Sequence, residues 1–338
     1  MAGAAAIEIL VMTYNRSALL PATLETLLDQ TVPATSIRVV DNGSTDRTDE
    51  IVRSFASRGV GYFRRDVNDL PACWRDLQRI PTAEWVMVFH DDDLLHPGYL
   101  GAVSTVIDTF PEATLIGSAM KAEAVPNARD WAAATPKRAT GILSRREFAG
   151  KLYAGFPFAF CSAVYRTDVF RRTTVDTGTY GKIFDRPFLM EVARAGGAVL
   201  LKDVFVKYRV HPGQDSRDPA TGPFPSEALM LQRYYREALG ENPWSRSGRT
   251  FLKRNYRNLS SDFVRLCGQD PGGAARETFF RDALAVGAAS TRSLRLGAAY
   301  ALLTDLPRRL DARRGGCFEA AAHDFKCRRP CETEETFL

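Results

Sequence analysis

The sequence lacks the features that mark several common protein classes. No apolar run approaches the roughly 18 residues that a membrane-spanning helix requires, so an integral membrane protein is not predicted. Residues 1–6 carry no charged side chain and lead at once into a strand-like apolar run, which is not the pattern of a secretory signal. We therefore expect a cytoplasmic protein.

Two phosphate-binding motifs are also absent. No G-x-G-x-x-G follows the first predicted strand and no G-x-x-x-x-G-K-[ST] occurs anywhere, which disfavours a dinucleotide-binding dehydrogenase and a P-loop ATPase. The six cysteines include no C-x-x-C pair, so no disulfide scaffold is predicted. The tail residues Cys317, Cys327 and Cys331, with His323, fit no standard zinc spacing, and their role stays open.

The charge is unevenly distributed, although the composition, 45% hydrophobic and 25% charged, is that of an ordinary globular protein. Residues 1–216 hold 25 basic and 25 acidic side chains, so the net charge of +5 falls entirely in residues 217–338. So mild an excess is more typical of solvated helix faces than of a nucleic-acid-binding surface, and no nucleic-acid partner is expected. An anionic acceptor or a weak contact with a membrane surface stays open.

The first 110 residues alternate between strand and helix patterns. Apolar runs predict strands at 7–12, 37–40, 60–63 and 85–89, and residues with the helical spacing of apolar positions lie between them. This alternation predicts an α/β fold with a mostly parallel central sheet and helices on both faces. Further strands are predicted at 115–120, 159–165, 199–201 and 205–210, and helices dominate residues 217–338.

Polar clusters follow three of the predicted strands at the point where each strand ends. They are Thr13, Tyr14, Asn15 and Arg16 after the first strand, Asp41 and Asn42 after the second, and Asp91, Asp92 and Asp93 after the fourth. Because ligands of parallel sheets bind at the carboxyl ends of the strands, the three clusters are predicted to line one crevice.

The aspartate triplet predicts a metal site. Three consecutive carboxylates after a buried strand repel one another unless a cation or hydrogen-bond donors neutralise them. Carboxylate oxygens suit Mg²⁺ or Mn²⁺, and either ion recruits phosphates. The alternative, in which these acids favour the N-terminus of a following helix, explains one aspartate better than three.

These motifs resemble a known family. The ordered segments 13–16 (TYNR), 40–46 (VDNGSTD) and 90–97 (HDDDLLHP) are similar to those of the family 2 inverting glycosyltransferases of the GT-A fold. The resemblance implies a Rossmann-like GT-A domain over residues 1–216, followed by the helical region 217–338. Within that domain it implies a nucleotide-sugar-binding half at 1–110 and an acceptor-side half at 111–216.

The resemblance also implies roles for individual residues. Asp41 is implied to read the nucleotide base, and Asp185, in the segment 179–185 (TYGKIFD), to be the catalytic base. The alternatives are a helix N-cap for Asp185 and an ordinary loop position for His211. The residues implied to bind the nucleotide sugar are Thr13, Tyr14, Asn15, Arg16, Asp41, Asn42, Arg65, Asp91 and Asp92, and those implied to hold the metal ion are Asp93 and His211.

The function that follows is a hexosyl- or N-acetylhexosaminyl-transferase that uses Mn²⁺ or Mg²⁺ and a nucleotide-sugar donor, with a UDP-sugar favoured. The alternatives are a nucleotidyltransferase, which usually grips its triphosphate with a glycine-rich basic loop that is absent here, and a catalytically silent nucleotide-sugar-binding protein. The acceptor is not specified. The region 217–338 is expected to shape the acceptor site or a homodimer contact, and its predicted helix at 293–303 is an alternative membrane-surface contact.

Overall fold

The computed structural model describes residues 5–124, 126–132, 138–153, 156–176, 180, 183–214, 234, 235 and 238. The chain divides into two compact units, Met1–Gly222 and Pro223–Leu338, and every element named below belongs to the first. The predicted helices of 217–338, apart from three residues, lie outside the described residues, as do the tail cysteines and part of the segment 179–185. Each helix in the described part of the chain is too short or too polar to cross a membrane.

Strands and helices alternate through the described residues. The strands are β1 Ile7–Thr13, β2 Ser36–Asp41, β3 Val60–Arg64, β4 Trp85–His90, β5 Leu94–Leu95, β6 Leu115–Glu123, β7 Val164–Arg166 and β8 Ala198–Arg209. The helices are α1 Leu20–Leu28, α2 Thr48–Ser54, α3 Leu70–Arg79, α4 Tyr99–Thr109, α5 Arg145–Tyr153, α6 Thr167–Arg172 and α7 Asp185–Gly196.

The strands form one mixed sheet in the order β3-β2-β1-β4-β7-β6-β8-β5. The first four strands in this order are parallel, as the alternating pattern predicted. Strand β7 is antiparallel to both β4 and β6, and β5 is antiparallel to β8, whereas β6 and β8 are parallel. The prediction of a mostly parallel sheet therefore holds for β1 to β4, and the second half of the sheet is mixed.

The apolar pattern explains the core. Strand β4 is fully buried from Trp85 to Phe89, as expected for a central strand whose two faces are covered by other elements. In α1, Leu20, Leu24 and Leu27 lie on one stripe and are buried, because residues three and four apart share a helix face.

Two local predictions were wrong, and one strand was not predicted. The predicted strands at 199–201 and 205–210 form the single strand β8, and a β-bulge beside Ser118 and Ala119 of β6 accommodates the polar residues between them. The segment 159–165 begins as a 3-10 turn at Phe160–Ser162 and joins the sheet only at β7. Leu94 and Leu95, for which no strand was predicted, pair with β8 as β5, and α4 follows them.

The register of the parallel strands places the predicted strand-end clusters side by side at one edge of the sheet. Thr13 lies opposite Asp41 across β1 and β2, and Met12 lies opposite His90 across β1 and β4. Asp41 in turn lies opposite Arg64 of β3. The carboxyl ends of four neighbouring strands therefore form a single edge, and the loops that leave them meet there.

Candidate active site

The loop after β1 is fastened to the loop after β2 by Asn15. The side-chain oxygen of Asn15 accepts hydrogen bonds from the backbone N–H groups of Thr45 at 2.8 Å and Asp46 at 3.3 Å. The backbone N–H of Asn15 donates to Ser44 Oγ at 2.9 Å. Asn15 has a φ of 52°, a left-handed conformation that asparagine adopts more readily than most residues. The two loops therefore act as one rigid wall of the crevice.

Asp41 is fully buried at the end of β2. Its Oδ1 accepts a hydrogen bond from Ser44 N at 2.8 Å, and its Oδ2 accepts one from the Tyr62 hydroxyl at 2.6 Å. Burial, followed by the hydrogen bond to Asp41, raises the pKa of Tyr62, so the phenol stays protonated and keeps donating. Asp41 is thus an oriented carboxylate rather than a mobile surface acid.

The turn after Asp41 requires glycine. Gly43 has a φ of 84°, and a Cβ placed on it would lie 2.9 Å from the backbone carbon of Val67. This close approach lets the Asn42 side chain donate to Asn68 Oδ1 at 2.7 Å and accept from Asp69 N at 3.2 Å. Asn42 therefore joins the β2 loop to the start of α3.

Arg65 reaches the edge of the sheet through its backbone, because its N–H donates to Asp41 O at 2.9 Å. Its guanidinium turns to α3 and forms an ion pair with Asp76. The Arg65 Nε is buried and has no hydrogen-bond partner within the described part of the chain. The structure thus places the Arg65 backbone, but not its charged group, beside Asp41.

The carboxylates of the aspartate triplet point to three different environments. Asp91 accepts a hydrogen bond from Tyr14 N at 3.2 Å and lies 4.0 Å from Arg16 Nε. Asp92 Oδ2 lies 3.0 Å from His211 Nε2. Burial, followed by the charge of Asp92, raises the pKa of Asp91 to about 7. Asp91 and Asp92 are therefore the acids of the triplet that crowd the crevice.

Asp93 turns away from the crevice and is fully buried. Its Oδ1 accepts the backbone N–H of Arg209 at 3.0 Å, and its Oδ2 accepts the thiol of Cys161 at 3.2 Å. The same Oδ2 lies 3.4 Å from His90 Nδ1. Burial alone would lower the pKa of His90, but the hydrogen bond to Asp93 and the charges of the triplet raise it to about 9.

Arg209, the last residue of β8, holds the backbone of the triplet. Its buried guanidinium donates to the backbone oxygen of Asp92, to Leu19 O at 3.0 Å and to Thr23 Oγ1 at 2.6 Å. Thr23 Oγ1 lies 2.9 and 3.0 Å from the backbone oxygens of the first and third aspartates. Sequence reasoning gave no individual role to Arg209 or Thr23, although an arginine at the end of a buried strand, two residues before His211, was a usable signal.

The loop after β8 fixes His211 over Asp92. Arg16 Nη2 donates to Gly213 O at 2.6 Å, and the buried Gln214 donates its side-chain N–H to Arg209 O at 2.6 Å. The first contact joins the β1 loop to the β8 loop, and the second ties the β8 loop back to the end of β8. His211 is therefore held by both sides of the crevice and is not an unconstrained loop residue.

Asp185 is the first residue of α7 and its side chain is 26% exposed. Phe184 holds the N-cap position and Asp185 the first helical position, where its carboxylate accepts backbone N–H groups of the first turn. Burial raises the pKa of Asp185, although the nearby positive charges of Arg186 and His90 oppose the shift. The charge of His90 lowers the pKa of Asp185, so Asp185 lies close enough to the end of β4 for the two charged groups to interact.

An aromatic cluster connects α7 to the rest of the site. The Trp74 ring of α3 packs edge-on against Phe184 and Phe188, both at 5.0 Å between centroids, and lies 6.0 Å from Phe160. Phe160 in turn lies 5.9 Å from the ring of His90. The start of α7 and the end of β4 are therefore positioned by one packed group of rings.

A family comparison matches this part of the chain. The model of the glycosyl transferase family 2 matches residues 8–174, from β1 through α6 and including all three strand-end loops. Residues 8–174 are a glycosyl transferase family 2 domain. Asp185 and His211 lie beyond the matched residues, so the family match does not bear on them.

Curated relatives of the family 2 domain match over short stretches. An uncharacterized glycosyltransferase of Haemophilus influenzae is 32% identical over 120 residues, which are 35% of this chain and 40% of the relative. Validoxylamine A glucosyltransferase of Streptomyces hygroscopicus is 46% identical over 54 residues, which are 15% of this chain and 13% of that protein. The chain thus spans less than half of the length of these relatives.

Solved structures share the fold of the family 2 domain at low identity. S. aureus TarS 1-349 in complex with UDP-GlcNAc has a TM-score of 0.58 and 18% identity, covering 94% of this chain and 92% of that chain. The mannosyltransferase PcManGT of Pyrobaculum calidifontis, in complex with GDP-Man and Mn²⁺, has a TM-score of 0.51 and 16% identity, covering 95% of this chain and 87% of that chain. At these identities the similarity concerns the fold alone.

The crevice of the family 2 domain fits a divalent cation. Burial, and after it the charge of Asp92, raises the pKa of Asp91, and a nearby cation would favour the ionised carboxylates. The imidazole Nε2 of His211 lies 3.0 Å from Asp92 Oδ2, so a nitrogen atom of the kind that binds metal ions stands beside the carboxylate oxygens. The predicted residues that meet at this edge are Thr13, Tyr14, Asn15, Arg16, Asp41, Asn42, Asp91, Asp92 and His211, whereas the charged groups of Arg65 and Asp93 turn elsewhere.

Proposed function

We propose that the chain is a metal-dependent, inverting glycosyltransferase of the GT-A fold. It moves a sugar from a nucleoside-diphosphate donor, with a UDP-sugar favoured, to an acceptor nucleophile. The observation that carries the proposal is the pairing of Asp92 with His211, next to Asp91, at the strand edge of a family 2 domain. The UDP-GlcNAc bound to one structural neighbour and the GDP-Man and Mn²⁺ bound to another support a nucleotide-sugar donor and a divalent ion.

The metal role is proposed for Asp92 and His211, with Asp91 contributing charge. The resemblance had implied Asp93, but the Asp93 carboxylate is enclosed by Arg209 N, Cys161 and His90. We assign Asp93 to positioning the turn that carries Asp92. When bound, Mn²⁺ or Mg²⁺ supplies positive charge that stabilises the departing nucleoside diphosphate.

Asp185 is proposed as the base. Its carboxylate accepts the proton of the acceptor hydroxyl while the acceptor oxygen bonds to the anomeric carbon of the sugar. The bond from that carbon to the diphosphate oxygen breaks in the same step, which inverts the anomeric centre. A raised pKa suits a base, because proton transfer is most efficient when the pKa approaches the working pH.

The nucleotide is proposed to bind along the loops after β1 and β2. The oxygens of Asp41 already accept Ser44 N and the Tyr62 hydroxyl, which orients their remaining lone pairs. Such a carboxylate can accept an N–H from a base like uracil. Asn15 keeps the two loops at a fixed separation for this contact.

A binding assay followed by a product assay tests the proposal. UDP should raise the melting temperature more with Mn²⁺ than with EDTA, and at about 100 times its dissociation constant it should stabilise the protein by about 2.7 kcal/mol. Incubation with UDP-sugars and an acceptor panel should then release UDP. Release of pyrophosphate from a nucleoside triphosphate would identify a nucleotidyltransferase, and metal-dependent binding without turnover would identify a silent binding protein.

A further inference from the structure

Three arginines line a cavity between α3 and α6, which we call the arginine pocket. The described residues that line it are Arg75, Gln78 and Arg79 of α3 and Arg171 of α6, and its volume is about 480 Å³. Cavities of this size are typical of sites that bind small molecules. The proposed transfer reaction does not use this cavity.

The α6 wall of the arginine pocket lies at the amino end of β4. Arg171 donates a hydrogen bond to Pro81 O, in the segment that joins α3 to β4. Thr167, the first residue of α6, donates its backbone N–H to Glu84 O at 2.9 Å, directly before β4. The aspartate triplet follows the other end of β4, whose six residues extend over about 20 Å. This wall is therefore remote from the proposed nucleotide-sugar site.

Hydrogen bonds hold the two helices of the arginine pocket together. Gln78 Nε2 donates to Phe170 O at 2.7 Å and to Thr173 O at 2.8 Å. Behind this contact, the Trp74 ring packs edge-on against Phe170, with 5.6 Å between the ring centroids. The cavity is therefore formed before any ligand arrives, which lowers the entropic cost of binding.

The acids of the two helices do not balance the charge of the arginine pocket. Asp76, the one acid of α3, forms an ion pair with Arg65, and Asp168, the one acid of α6, pairs with Arg172 at 3.1 Å. Both Arg75 and Arg79 are exposed, and neither guanidinium has a hydrogen bond or ion pair with a described residue. An anion in the pocket would relieve the repulsion among the three guanidiniums.

The helix dipole explains only part of this arrangement. A basic side chain in the last turn of a helix interacts favourably with the negative end of the dipole, which accounts for Arg79 and Arg171. It does not account for Arg75, which lies one turn before Arg79 on the same helix face, where two like charges destabilise the helix. The convergence of all three side chains on one cavity therefore favours a binding role.

The guanidinium groups select the class of ligand. Each presents a planar fork of N–H donors that matches the oxygens of a phosphate group and can donate two parallel hydrogen bonds to it. Three such cations suit an anion with more than one negative charge, and a phosphate monoester carries about −1.5 to −2 at pH 7. We propose that Arg75, Arg79 and Arg171 bind the phosphate group of a small phosphorylated molecule, at a site separate from that of the nucleotide sugar.

The shape of the surface favours a small ligand over a membrane. The arginines line a concave cavity, whereas a lipid surface needs a convex or flat face with apolar side chains that insert into it. The large apolar side chains that are exposed in the described part of the chain, Tyr14, Phe63 and Val67, belong to neither α3 nor α6. This inference goes beyond the proposed transfer reaction and does not depend on it.

Inorganic pyrophosphate is the probe, because it presents the same phosphate oxygens without a base or a sugar. It is titrated into the full-length protein by calorimetry in the presence of EDTA, so that no metal ion can join it to the aspartate triplet. We expect one pyrophosphate to bind per chain. The double variant Arg75→Gln with Arg79→Gln should weaken this binding at least about tenfold and keep the melting temperature of the wild type, since neither side chain contacts a described residue.

Two further variants separate a specific site from net charge. Arg47→Gln with Arg53→Gln removes the same number of charges from exposed positions at α2, and should bind pyrophosphate within about twofold of wild type. Arg171→Lys keeps the positive charge and a donor for Pro81 O but loses the planar fork, and should weaken pyrophosphate binding.

The proposal is overturned if folded wild-type protein does not bind pyrophosphate at concentrations up to about 10 mM, or if the two double variants lose affinity equally. Binding of phosphatidylglycerol vesicles that requires Arg75 and Arg79, without pyrophosphate binding, would assign the pocket to a membrane surface and also overturn it. Mn²⁺-dependent UDP binding should be the same in wild type and in both double variants. This inference and the proposed function therefore fail independently.

Discussion

Replacement of Asp185 by asparagine tests the proposed base, because the change keeps the size of the side chain and removes its ability to take a proton. Loss of a general base costs a factor of about 10²–10⁴ in rate, or about 2.7–5.4 kcal/mol of activation free energy. The donor dissociation constant should stay within about threefold of wild type, since Asp185 begins α7 whereas the proposed donor contacts lie on the loops after β1, β2 and β4.

The same substitution should not destabilise the fold. Burial raises the pKa of Asp185, so its ionised form is less favourable in the folded protein than in the unfolded chain. The contribution of Asp185 to stability therefore falls as pH rises above the unfolded pKa. Asparagine is neutral at every pH, so Asp185→Asn should melt at the same temperature as wild type at pH 4 and at the same or a higher temperature at pH 7.

The measurements are the turnover number from UDP release, the donor dissociation constant by calorimetry with Mn²⁺, and the melting temperature. Asp168→Asn is the matched control, because Asp168 is also in the first turn of a helix, α6, where it pairs with Arg172 at 3.1 Å on an exposed surface. The control should retain nearly full turnover. Turnover above about a tenth of wild type in Asp185→Asn would refute the assignment of the base.

Three further outcomes are expected. Asp92→Asn should weaken Mn²⁺-dependent UDP binding at least tenfold, about 1.4 kcal/mol, with little change in the melting temperature of the metal-free protein. Glu8→Gln should lower the free energy of unfolding by about 1–3 kcal/mol at pH 7, because Glu8 accepts the N–H groups of Thr82 and Ala83. Burial alone would raise the pKa of Glu8, but these hydrogen bonds lower it, so the difference from wild type should vanish as pH falls through that lowered pKa. Arg209→Lys should cost about 2–4 kcal/mol of stability and also weaken UDP binding, because an ammonium cannot reproduce the guanidinium contacts to three acceptors.

Each of these outcomes has a control. Asp49→Asn removes an exposed acid that pairs only locally with Arg53 in α2, and should leave both UDP binding and stability nearly unchanged. Persistent Mn²⁺-dependent binding in Asp92→Asn would exclude Asp92 as a ligand. A Glu8→Gln effect that is equal at pH 7 and pH 3, measured by urea denaturation, would show that the charge of Glu8 is not its source. Wild-type UDP affinity in Arg209→Lys would show that Arg209 does not contribute to UDP binding.

The strand-end clusters could be predicted from sequence because they depend on local patterns. The runs that became β1, β2 and β4 are short and strongly apolar, and polar residues directly follow each run. Parallel pairing then places Thr13 opposite Asp41 without further information. Strand β5 could not be predicted in this way, since Leu94 and Leu95 pair with residues 206 and 207, which are more than 100 positions away in the sequence.

The division of roles that we propose within the triplet depends on contacts of the same long range. In sequence, the three aspartates are equivalent carboxylates after one strand, and nothing local distinguishes the ligand from the anchor. The backbone N–H of Arg209 and the thiol of Cys161 capture Asp93, and His211 captures Asp92. A buried carboxylate with good hydrogen-bond donors is held more firmly than one that faces solvent. The firmly held acid, the anchor, is therefore Asp93, which contacts β8 and the 3-10 turn. We infer that Asp92 can act in the crevice because its neighbour Asp93 is fixed by Arg209 and Cys161.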